Sequence, residues 1–155
     1  MTYRIQGLDP SPFLPLAGLA AHQLARLGAV RMVADKTPGF PCRITLNDAE
    51  PGQPLLLVNH VSLEANTPYR ASHAIFVTEG QTRPALYEGE IPPALQRRAL
   101  SLRAFDEAGM MVDAALVQPG EAELQILRML DDARIHQIHA HNAVRGCFAA
   151  RIGRL

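Results

Sequence analysis

The sequence predicts an α+β fold with a mostly antiparallel sheet of about six to eight strands. Short apolar segments, alternating or continuous, recur along the chain between turn residues. Only one strong helical pattern occurs, near the C-terminal third, with one or two shorter helices near the N-terminus. The links are of hairpin length, and strands do not alternate regularly with helices, which argues against a doubly wound sheet. We expect one domain over residues 1–155.

The first part of the chain predicts a strand followed by a short helical region. Residues 2–8 have a strand pattern. Ser11 and Pro12 suit the start of a helix, and Gly28 suits its end.

The middle of the chain predicts four strands. Residues 30–35 alternate between apolar and polar, and residues 42–46 follow a loop rich in Pro and Gly. Residues 55–58 are continuously apolar, which predicts a strand that is buried on both faces and ends at His60. Residues 72–79 form the next strand pattern.

The C-terminal part predicts a hairpin, the best helix and a final pair of strands. Residues 100–105 and 110–117 alternate on either side of a turn that contains Gly109. A helix follows Pro119-Gly120, with an apolar stripe expected from four residues: Leu124, Ile126, Leu127 and Leu130. The final strands are predicted over residues 135–142 and 147–152.

Composition narrows the possible partners. Lys plus Arg equals Asp plus Glu at 15 each, so the net charge is zero and nucleic acid is not an expected partner. No secretory signal or membrane-length apolar run is visible, so we expect a cytoplasmic protein without a membrane partner. In that compartment Cys42 and Cys147 are expected to be free thiols. Oligomeric state is open.

Polar residues cluster where strands are predicted to start or end, which is where sites tend to be built. His139 and His141 are two residues apart, so a strand directs both rings to one face. We expect distant clusters to meet around one pocket; they are Cys42-Arg43, Asn59-His60, Tyr69-Arg70 with Ser72-His73, His139 with His141-Asn142, and Arg145 with Cys147.

Three kinds of chemistry fit these residues. A small anion, a carboxylate or phosphate, fits the charge-assisted hydrogen bonds that arginine gives, with His139 and His141 as acid or base. The binding residues would be Arg43, His60, Tyr69, Arg70, Ser72, His73, Asn142 and Arg145.

Cysteine catalysis and metal binding are the alternatives to a plain anion pocket. Cys147 or Cys42 beside an arginine is a candidate nucleophile. A transition metal on His139 and His141 would need further ligands, and neither Cys-x-x-Cys nor His-Glu-x-x-His is present. The sequence therefore requires no cofactor. A third alternative is a non-catalytic interaction domain whose polar cluster is structural, with the arginines paired to aspartates.

Four ordered motifs carry a resemblance across nearly the whole chain. They are residues 39–43, 67–77, 103–113 and 141–151, with the sequences GFPCR, TPYRASHAIFV, RAFDEAGMMVD and HNAVRGCFAAR. As a set they resemble a bacterial family of unknown function, domain-of-unknown-function family 1203. The resemblance implies a small single-domain protein and assigns no reaction, cofactor or catalytic residue.

Overall fold

The computed structural model describes residues 2–155, which form nine strands and three α-helices. The strands are β1 Tyr3–Gln6, β2 Val30–Val33, β3 Pro54–Leu63, β4 Ala71–Thr78, β5 Leu86–Glu88, β6 Leu100–Phe105, β7 Met111–Val117, β8 Gln137–Asn142 and β9 Phe148–Arg154. The helices are α1 Ala21–Arg26, α2 Pro93–Gln96 and α3 Ala122–Leu130, with a 3-10 turn at Leu14–Leu16.

The strands divide into two antiparallel sheets. Six strands pair in the order β5-β1-β9-β8-β6-β7, and three pair in the order β2-β3-β4. The expectation of a mostly antiparallel sheet with few helices is confirmed, and the larger sheet has six strands, within the expected six to eight, but the sequence did not predict the second sheet of three strands. The strands form two sheets because different elements cover the apolar face of each. Helix α3 covers the six-stranded sheet, and α1 with the residues around Ile44 covers the three-stranded sheet.

The larger core lies between the six-stranded sheet and α3. Ile5, Leu102 and Ile138 of the sheet are fully buried there with Ile126 of the helix. The predicted helical stripe is wrong at Leu124, which is 80% exposed. Helix geometry explains this: Ala122, Ile126, Met129 and Leu130 fall on one side at 100° per residue, and that places Leu124 on the opposite side.

The smaller core covers one face of the three-stranded sheet. Leu56 and Val58 of β3 pack with Ile75 and Val77 of β4 beneath Leu24 of α1 and the residues around Ile44. This core places residues 42–44 against β4, so it also positions the side chain of Arg43. The structure describes no helix long and apolar enough to cross a membrane.

One predicted strand is absent, and the predicted end of another is wrong. Residues 42–46 are a turn rather than a strand, because Cys42 makes only a single parallel bridge with Phe76 and then its carbonyl accepts from the Leu46 N–H at 2.9 Å. Leu46 closes this turn with φ +57°, a left-handed conformation that is incompatible with a continuing strand. Strand β3 does not end at His60 but continues to Leu63, since β4 pairs along its whole length.

Candidate functional site

Alternation along β8 sends its side chains to two different environments. Ile138 and Ala140 enter the larger core, whereas His139 and His141 lie on the other face of the sheet. Both imidazoles are only 2% exposed. Burial on the face away from α3 means that something other than the helix covers them.

The cover comes from the three-stranded sheet. His60 of β3 and His73 of β4 are cross-strand partners, and the His73 ring centroid lies 5.0 Å from that of His141. The rings of His139 and His141 are 6.4 Å apart. These four residues are termed the histidine cluster, and it joins the two sheets.

Phe148 occupies the middle of the histidine cluster. Its ring centroid lies 5.2 Å from His139, 5.8 Å from His60 and 5.9 Å from His141. The phenyl ring offers the imidazoles no hydrogen-bonding partner. A charged imidazolium beside it would be poorly solvated, so the ring favours the neutral forms.

The electrostatics of the cluster follow from that surrounding. Burial, reinforced by His141 and nearby arginines, lowers the pKa of His139 to about 3. Burial likewise lowers the pKa of His141 to about 4, against the opposing effect of the Gly146 carbonyl. The pKa values of His60 and His73 are also lowered, chiefly by burial. All four rings are therefore neutral near pH 7.

One hydrogen bond fixes the tautomer of His141. Its Nδ1 lies 3.0 Å from the carbonyl oxygen of Gly146. Because a carbonyl oxygen can only accept, Nδ1 carries the proton and the neutral ring keeps the lone pair on Nε2. The neighbouring His73 has a buried Nδ1 with no hydrogen-bond partner in the described structure.

The histidine cluster does not make a metal site. Within residues 2–155, no group of three His, Cys, Asp or Glu side chains is arranged to hold a metal ion. His60 and His73 lie near the candidate ligands His139 and His141, but no three of these side chains are placed to hold one ion, and structural zinc usually needs four ligands.

Arg43 is the most deeply buried cation at this end of the molecule. The turn at residues 42–46 directs its side chain toward β9, where Nε donates to the Phe148 carbonyl at 2.8 Å and Nη1 donates to the Pro41 carbonyl. Its Nη2 donates to the sulfur of Cys147 at 3.1 Å, and the Asn142 amide lies 3.5 Å from the same sulfur. Arg43 is 3% exposed.

These residues line a cleft of about 960 Å³ beside the histidine cluster. We call it the cationic cleft, because five basic residues line it and Asp35 is its one acidic lining residue within the described chain. The basic residues are Lys36, Arg43, Arg97, Arg98 and Arg145, joined by His73, Asn142 and Cys147.

A buried carboxylate holds two of these cations in place. Asp48 accepts hydrogen bonds from Arg98 at 3.0 Å and from Arg97 at 3.2 Å, and the N–H of Gly39 donates to it at 3.2 Å. Burial raises the pKa of this carboxyl, but the bonds from Arg98, Gly39 and Arg97 outweigh that effect and the pKa lies below its usual range. Asp48 is therefore a fixed anion that orients Arg97 and Arg98 at the rim.

Other predicted residues lie outside the cleft. Tyr69 is 39% exposed and packs edge-on against Phe105, and the exposed Arg70 lies 3.8 Å from Glu64. Ser72 is exposed because it alternates with His73 along β4. Cys42 is buried in the smaller core, where its sulfur accepts from the Thr78 N–H at 3.2 Å.

Sequence reasoning missed Lys36, Arg97, Arg98 and the role of Asp48. The available signal was the adjacent pair Arg97-Arg98 directly after a Pro-initiated helical segment, in a chain with only one lysine and few consecutive charges. Cys42, Tyr69, Arg70 and Ser72 are replaced by these residues as the lining of the site.

The comparisons with known proteins identify a family without an assigned activity. Residues 39–154 match the family described as Protein of unknown function (DUF1203), so the chain belongs to that family. The match includes the four histidines, Arg43 and Cys147. No curated protein and no solved structure matches the chain.

Proposed function

We propose that the cationic cleft binds a small molecule with at least one anionic group, a carboxylate or a phosphate. The observation that supports this is the local charge imbalance: five cations meet two carboxylates, Asp35 and Asp48, in a chain whose net charge is zero. Charge collected in a concave site raises the local concentration of oppositely charged ligands. A cleft of this volume is at the large end of small-molecule sites.

The individual cations support different parts of such a ligand. Arg145 is exposed at the turn between β8 and β9 and has no salt bridge within residues 2–155. Arg97, half-exposed and oriented by Asp48, presents a planar fork of donors in the same cleft. His73 and Asn142 add neutral polar groups to the lining. We expect the protein to act in the cytoplasm as a single domain, with no nucleic acid or membrane partner.

Calorimetric titration with phosphate and with citrate at constant ionic strength tests this proposal. We expect saturable binding that Arg145→Ala weakens about tenfold, since a charged hydrogen bond contributes about 1.5–3 kcal/mol. The matched control is Arg128→Ala on α3, which removes an exposed guanidinium whose partner is Asp113. Absence of saturable binding, or equal loss in both variants, would contradict the proposal and favour a purely structural polar cluster in an interaction domain.

A further inference from the structure

The charge of Arg43 has no carboxylate partner. No Asp or Glu of residues 2–155 forms a salt bridge with it, although Arg43 is only 3% exposed. A buried charge without a counter-ion is costly, and burial accordingly lowers the pKa of this guanidinium. Two of its three contacts are neutral carbonyl groups.

The third contact is the one group that can carry a compensating charge. The Cys147 sulfur accepts from Arg43 Nη2 at 3.1 Å and from the Asn142 amide at 3.5 Å, so a thiolate at this position would face two donors, one of them cationic. Cys147 is only partly buried and lines the cationic cleft, so a molecule bound in the cleft would lie beside it. The Cys42 sulfur also accepts two donors, the N–H groups of Thr78 at 3.2 Å and Thr45 at 3.5 Å, but Cys42 is buried in the smaller core and does not line the cleft.

We propose that Cys147 is a nucleophile whose negative charge is stabilised by Arg43, and that the cationic cleft directs it toward electrophiles that carry an anionic group. This inference rests on the proposed function, because the selectivity for an anionic electrophile comes from the same cations. In the reaction, the thiol proton passes to solvent and the sulfur attacks an electrophilic carbon. A sulfur–carbon bond forms, and the leaving group departs with the electron pair of the broken bond.

Iodoacetate and iodoacetamide provide matched probes, because they differ in charge and share a leaving group. The sulfur displaces iodide from either reagent, and mass spectrometry of the Cys147 and Cys42 peptides gives both alkylation rates. In the folded protein we expect the iodoacetate-to-iodoacetamide rate ratio at Cys147 to exceed the ratio in urea about tenfold, which corresponds to about 1.4 kcal/mol. Cys42 should remain unlabelled while the protein is folded, and Cys147→Ser should remove the fast label.

Two variants examine the source of the selectivity. Arg43→Met removes the buried charge at similar length and should lower both alkylation rates at Cys147. Arg145 lies on an exposed turn, so Arg145→Ala should fold even if Arg43→Met does not. It should lower the rate of alkylation by iodoacetate and leave the rate with iodoacetamide unchanged. Equal ratios in folded and unfolded protein would overturn the nucleophile proposal.

Phosphate titration, read together with the alkylation rates, distinguishes an error in this inference from an error in the proposed function. If phosphate binds but Cys147 shows no preference for iodoacetate, the cleft binds anions and Cys147 is not its nucleophile. If phosphate does not bind while Cys147 prefers iodoacetate, the nucleophile stands and phosphate binding is wrong. If neither is seen, both proposals are wrong.

Discussion

The two faces of the six-stranded sheet carry different kinds of side chain. On one face Ile138 and Ala140 of β8 pack beneath α3 in a continuous aliphatic core. On the other face, His139 and His141 of the same strand meet the second sheet through imidazole and phenyl rings. One strand therefore supplies stability on one side and titratable groups on the other, because successive side chains point in opposite directions.

The polar face of the sheet is connected to the cationic cleft, whereas the apolar face is covered by α3. His73 belongs both to the histidine cluster and to the lining of the cationic cleft. Asn142 is the last residue of β8, Arg145 and Cys147 follow it, and all three line the same cleft. Changes on the apolar face should therefore affect unfolding alone, whereas changes on the polar face should also affect pH dependence or ligand binding.

The largest expected effect comes from breaking the apolar face. Ile138 is fully buried, so Ile138→Ala should lower the free energy of unfolding by about 4 kcal/mol, from lost burial and the cavity left behind. Urea denaturation followed by circular dichroism measures this. Leu124→Ala is the control, since that exposed leucine should cost less than about 0.5 kcal/mol. A similar loss in both variants would contradict the assignment of the core-facing side of α3.

The second effect concerns the fixed anion beneath the cleft. Asp48→Asn leaves Arg97 and Arg98 without their counter-ion, so we expect a loss of about 3 kcal/mol in unfolding free energy. The same change frees two guanidinium groups for a ligand, so phosphate affinity should rise. Asp113→Asn at the exposed pair with Arg128 should cost less than about 1 kcal/mol and leave affinity unchanged. A fall in affinity with Asp48→Asn would show that orientation of the arginines matters more than their free charge.

The third effect is the pH dependence of the histidine cluster. His139 and His141 have folded-state pKa values of about 3 and about 4, below the ordinary 6.5. The unfolded chain therefore binds more protons in acid, and the stabilising contribution is complete above pH 6.5 and is lost as the pH falls toward those folded values. At pH 5 the loss should be about 2 kcal/mol for each ring.

Thermal unfolding between pH 7.5 and 4.5 measures this dependence. His139→Leu keeps a neutral side chain of similar size, so the variant should show a shallower fall of melting temperature below pH 6.5 than the parent protein. His22→Leu is the control, because His22 lies exposed on α1. Parallel profiles for the parent and His139→Leu would mean that His139 is not held neutral by the fold.

The local elements of this fold could largely be predicted, and the reason is visible in single residues. Gly109, with φ +84°, closes the hairpin between β6 and β7 as its position in the sequence indicates. Leu46 is the counterexample, because a leucine in the left-handed region gives no sequence signal for the turn that replaces the predicted strand. That turn is stabilised by burial in both cores, with Leu46 in the larger and Cys42 and Ile44 in the smaller, and both cores depend on segments far along the chain.

The placement of His139 and His141 on one face follows from the sequence alone, because side chains along a strand alternate every two residues whatever surrounds the strand. The cover of that face by a second sheet, which brings in His60 and His73, depends on the tertiary fold. The contacts of Asp48 with Arg98 and of Arg43 with Cys147 depend on it as well. Backbone periodicity is a local property of each segment. By contrast, Asp48 and Arg98 lie 50 residues apart and Arg43 and Cys147 lie 104 apart, so these pairs form only when the two sheets have packed.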